Sequence, residues 1–76
     1  MIKWNRQQPQ VLTYTHDTAE VAAIIRPNIL GIGYVWEVDQ WGRMLGHGET
    51  VTLANARANA NQWIATAVEA VTGEAL

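Results

Sequence analysis

The chain has no cysteine, no serine and no phenylalanine, one lysine (Lys3) and two prolines (Pro9 and Pro27). Without cysteine there can be no disulfide, no thiolate zinc site and no cysteine nucleophile. With serine missing too, covalent catalysis would fall to threonine, Lys3 or a carboxylate, and none of these has a base near it in sequence. A cysteine-free chain fits a reducing compartment. The opening segment MIKWNRQQPQ holds no apolar run of signal-peptide length, and no stretch approaches membrane-spanning length, so a soluble cytoplasmic protein is expected. Seven acidic residues against five basic ones, a formal net charge of −2, leave no polybasic tail.

What remains is a single domain, residues 1–76. A domain of this size buries only about 60% of the surface its unfolded chain exposes, so its stability needs an efficient core or self-association. Four tryptophans, Trp4, Trp36, Trp41 and Trp63, supply the bulk that phenylalanine would otherwise bring.

Residues 1–9 read as an extended arm: Met1 to Asn5 is anchored by Trp4, and Pro9 marks a strand start or an edge. Residues 10–49 read as an antiparallel sheet. Its strands are Gln10 to Thr15, Glu20 to Arg26, Gly33 to Asp39 and Arg43 to Glu49, and Gly46 and Gly48 weaken the last and suggest a bulge or a close approach of the helix. A helix over Thr18 to Arg26 is the alternative for the second, but the stretch is short and stops at Pro27. Asp39-Gln40-Trp41-Gly42 has the residues of a type I turn. Residues 51–72 read as one helix, capped by Thr50 or Thr52 and stopped by Gly73. Its apolar stripe is Leu53, Ala56, Ala60, Trp63, Ile64, Ala67 and Val71.

The expected fold is therefore α+β: an antiparallel four-stranded meander, or three strands plus the N-terminal arm, with one C-terminal helix across one face. The inward set is Leu12, Tyr14, Val21, Ala23, Ile25, Tyr34, Trp36, Val38 and Met44. The other face, with Val11, Thr13, Ala22, Ile24, Val35, Glu37 and Leu45, is more apolar than a solvated face should be. Trp41 sits at a turn tip, where a large ring cannot easily reach the core, and rigid exposed aromatics are common interface anchors. The candidate interface residues are Ile24, Val35, Glu37, Trp41 and Leu45, facing another protein or a second copy of the chain.

Other chemistry finds little support. His47 and Glu49 alternate along one strand and could do acid–base work together, but they read equally well as two polar residues near the end of an edge strand. His16-Asp17 is a turn dipeptide, and the two histidines are not in metal-binding spacing. Gly46-His47-Gly48 before the helix lacks the Walker lysine. No catalytic, cofactor-binding or metal-ligating residue is assigned. Arg6, Arg26, Arg43 and Arg57 with exposed aromatics offer a nucleic-acid platform as the second reading, opposed by the acidic charge balance.

The run Tyr34-Val35-Trp36-Glu37-Val38, then Gly42, then Gly48-Glu49-Thr50, then Ala54, resembles the N-terminal domain of HicB-type antitoxins across Gly33 to Ile64. Glu49 stands where that family usually has aspartate, Leu53 where it often has an acidic residue, and the turn proline is missing. The same pattern resembles small phage and prophage proteins that pair a strand hairpin with an alanine-rich helix. The resemblance implies a small, non-enzymatic, protein-binding module, inhibitory or antitoxin-like, and assigns no residue a role.

Overall fold

The computed structural model describes residues 2–76; Met1, the first residue of the expected arm, lies outside the described residues. The fold is α+β, with five antiparallel strands and one C-terminal helix. The strands are β1 (Asn5–Gln8), β2 (Val11–His16), β3 (Val21–Pro27), β4 (Tyr34–Gln40) and β5 (Arg43–Thr50), and the helix is α1 (Leu53–Thr72). They lie in sequence order in the sheet, each paired with the next. The chain holds one strand more than the four expected, because Asn5–Gln8 pairs with β2 despite its polar sequence. Hydrophobic alternation cannot mark such a strand: all four of its residues are exposed, and the backbone ladder holds it together with a bond from Gln7 Nε2 to Thr13 Oγ1 at 3.2 Å.

The alternation of β2, β3 and β4 settles which face is inward. Leu12, Tyr14, Val21, Ala23, Ile25, Trp36 and Val38 are buried, as expected. The fifth strand departs from the expected pattern. Val38 pairs with Gly46, whereas Asp39 pairs with Met44, so Leu45 is an extra residue on β5. Such a bulge reverses the alternation. It turns Leu45 toward the helix, where it packs on the core, and leaves Met44 half exposed. The expected inward Met44 and outward Leu45 are thus exchanged.

The helix is capped at both ends as its sequence signals. Thr52, not Thr50, is the N-cap: its Oγ1 accepts from the Asn55 N–H at 3.1 Å. Gly73 takes φ 75° and donates its N–H to the Glu69 carbonyl at 2.8 Å. The buried line runs Ala56, Ala60, Ile64, Val68 in steps of four, with Ala67 beside it. That line drifts away from the expected stripe, so Val68 is buried and Val71 is left on the surface.

Trp63 lies across β5, and the reason is glycine. A Cβ on Gly46 would come within 2.6 Å of the Trp63 ring, and one on Gly48 within 2.8 Å of the Trp36 Nε1. The two indoles occupy space that any other residue would fill. At the opposite edge Trp4 does the anchoring expected of it. Its Nε1 donates to Asn61 Oδ1 at 2.9 Å, and its ring meets Tyr14 at 6.1 Å and a 58° tilt. The N-terminal segment is thereby tied to the middle of α1.

Two outcomes follow for stability. Gly46→Ala should cost about 1–3 kcal/mol through overpacking, with a red shift of tryptophan emission as Trp63 is pushed outward. Burial pushes the Tyr14 phenol above its usual range. The unfolded chain therefore ionises first, and stability present below about pH 10 falls as pH rises toward the higher folded value. Urea midpoints measured across that range should decline less steeply for Tyr14→Phe.

Candidate functional site

The β4–β5 hairpin is closed by Trp41 and Gly42, which have φ 54° and 74°. Both central residues are left-handed, so the turn is the primed type that matches strand twist in a two-residue hairpin. It is not the type I turn expected one residue earlier. A primed turn favours asparagine and glycine, and a tryptophan at its first central position sits in a conformation that costs about 1–2 kcal/mol. The surroundings hold it there. The Trp41 N–H donates to the Glu20 carbonyl at 3.3 Å, and the buried Gln40 side chain donates to the Ala19 carbonyl at 3.0 Å. With its backbone fixed, the Trp41 side chain is 61% exposed.

Around that hairpin the flank of the sheet is apolar. Gln40, Leu45, Trp63, Thr66, Ala67 and Ala70 line an open groove of about 200 Å³ between β5 and α1. Trp63 is 44% exposed and Met44 50% exposed, although both are large apolar side chains. None of the lining residues is ionisable. Sequence reading missed the groove because it depends on the Leu45 bulge, which no hydrophobic pattern announces. The paired glycines Gly46 and Gly48 signal the bulge and the close approach of the helix, but not which side chain the bulge turns inward.

A second apolar patch lies at the other end of the sheet. The loop between β3 and β4 exposes Ile29, Leu30 and Ile32, and Val51 beyond β5 is also exposed. The loop is shaped by Asn28, whose Oδ1 accepts from the Leu30 N–H at 3.1 Å and whose Nδ2 donates to Glu49 at 2.7 Å. Between that loop and the outer face, a hollow is lined by Arg26, Pro27, Val35 and Glu49 together with Ile29 and Leu30.

The five candidate interface residues do not form one surface. Ile24, Val35 and Glu37 share the face away from the helix, each half-buried. Arg26 there binds Glu37 at 2.7 Å, so this face is closed by an ion pair as well as lined by aliphatics. Leu45 is on the helix side, and Trp41 is at the hairpin tip. Of the five, Leu45 lines the groove beside α1, and Trp41 stands at the hairpin tip outside it.

No hydrogen bond joins His47 to Glu49 among the described residues. Glu49 is engaged by Asn28, and the hollow it lines is not lined by His47. His16 accepts the Ala19 N–H at its Nδ1 at 3.2 Å, a turn-stabilising role. Among the described residues no three histidine, aspartate or glutamate side chains gather where they could hold a metal ion. No helix of the described residues is long and apolar enough to cross a membrane. Arg6 and Arg43 lie on opposite edge strands, Arg57 lies on α1, and Arg26 pairs with Glu37 on the face away from the helix.

No family model, curated protein or solved structure matches this chain.

Proposed function

We propose that the chain is a small, non-enzymatic protein-binding module that engages its partner at the hairpin end of β5, with Trp41 as the anchor. One observation carries this reading: a large aromatic ring is kept exposed on a backbone conformation that works against it. Strain of this sort persists where function requires it, and folding alone would place Asn-Gly in this turn. Met44 on the outer side of β5, and Trp63 with the uncharged groove on the helix side, leave apolar surface on both faces at this end of the sheet, as the centre of an interface does. The likeness to HicB-type antitoxin domains and to small phage and prophage proteins agrees with a module of this type, inhibitory or antitoxin-like in its action.

The test is Trp41→Asn, which converts the turn to Asn-Gly. The variant should be more stable by about 1 kcal/mol, a rise in Tm of about 4–8 °C for a domain this small. In affinity capture from the native host it should lose a protein that the wild-type chain retains. A variant that is more stable and still retains that protein would overturn the proposal, and unfolding could not be blamed for a loss.

A further inference from the structure

The geometry points to one kind of partner: an extended, proline-free peptide segment that adds to the open side of β5, sets an apolar side chain into the groove beside α1 and brings a carboxylate to Arg43. This rests on the hairpin end being a binding surface, and it names what binds there.

The first observation is the difference between the two sheet edges. At one edge β1 has four residues, a register irregularity between Arg6 and Gln8, and Pro9 directly after it. Short length and proline keep an edge from pairing, and they separate this edge from β5, since a register irregularity is present at both. At the other edge β5 runs for eight residues, Arg43–Thr50, with no lysine and no proline. Its ladder bonds are made to β4 alone. Gln40 and Arg43 close the hairpin, and hydrogen bonding alternates along an antiparallel pair from there. Met44, His47 and Glu49 fall on the steps whose N–H and C=O groups face away from β4. An unpaired row of donors and acceptors is completed by another strand.

The groove supplies the second observation. A strand laid beside β5 puts every second side chain on the helix side of the sheet. That is where Leu45, Trp63, Thr66, Ala67 and Ala70 enclose their uncharged space of about 200 Å³, enough for one aliphatic or aromatic side chain. Main-chain bonds to the edge and a pocket for alternate side chains are together the requirements of recognition by strand addition. Charge supplies the third. Arg43, the first residue of β5, is exposed and forms no ion pair among the described residues, where Arg26–Glu37 is the salt bridge present. An acidic residue on the peptide at that end completes it.

A second copy of β5 is a poorer occupant. Leu45 and Gly46 both face the helix side, so the alternation breaks in mid-strand. A two-fold antiparallel pairing would then set inward residues opposite outward ones across part of the ladder.

The experiment selects a displayed library of random decapeptides on the immobilised full chain, then measures the winners by fluorescence anisotropy. Selected peptides should alternate apolar residues, lack proline and carry an acidic residue toward one end. His47→Pro blocks the open edge and leaves the β4 ladder intact, and Ala70→Trp fills the groove from an exposed helix position. Each should weaken binding at least tenfold with Tm little changed, and Arg43→Glu should shift selection toward basic peptides. Failure to select any peptide, binding indifferent to both blocking variants, or a stable dimer paired through β5 would each overturn the assignment. The protein captured from the host separates the two proposals. If it tolerates His47→Pro and Ala70→Trp but not Trp41→Asn, strand addition is wrong and the hairpin site stands. If it tolerates all three, both are wrong.

Discussion

The constraint on which this structure depends is that one helix must serve a sheet of five strands. A helix with its side chains is about 10–12 Å across. Five strands at about 4.8 Å spacing span roughly 19 Å between the axes of the outermost pair. Ala56 and Ala60 let α1 sink onto the inner face, and with Ile64 and Val68 they seal β3, β4 and the near side of β5. The alanines are therefore a packing device: small side chains bring a helix backbone close, and Trp36 on the sheet supplies the volume they lack.

What the helix cannot reach must be covered some other way, and the two flanks solve this differently. On the β1–β2 side the N-terminal segment covers the sheet, with Ile2 and Trp4 packed on the core and Trp4 bonded to Asn61. That flank is closed by a polar link as well as by apolar contact. On the β5 side Trp63 covers Gly46, and the groove past it stays open. A closed flank and an open one on the same small domain make the open one the natural place to look for function.

Most of the fold was legible in the sequence, for particular physical reasons. Strands β2 to β4 follow a strict two-residue alternation, and Thr52 and Gly73 carry the side-chain and backbone chemistry that starts and stops a helix. What escaped sequence reading was governed by backbone pairing. The polar strand Asn5–Gln8 has no buried face to betray it, and although Gly46 and Gly48 signal a bulge, which side chain it turns inward, Leu45 or Met44, is a matter of register. The candidate site followed the same division. Trp41 was singled out because a large ring at a turn tip cannot easily reach the core, and the structure leaves it exposed there, whereas Ile24, Val35 and Glu37 were grouped with Leu45 on an alternation that stops at the bulge.

The bulge also bears on why an open edge is tolerated. An extra residue in β5 bends and twists the strand, which hinders extended self-pairing of copies. The same extra residue aims Leu45 into the groove, so protection against unwanted pairing and construction of the apolar pocket come from one backbone irregularity. Gly46 makes both possible, since any side chain there would drive Trp63 off the strand and remove the groove wall. Trp41 then stands at the end of this arrangement, held in left-handed geometry by its bond to Glu20. The strained turn, the bulge and the glycine pair lie within Trp41 to Gly48, and together they spend local stability on the one flank that the helix leaves uncovered.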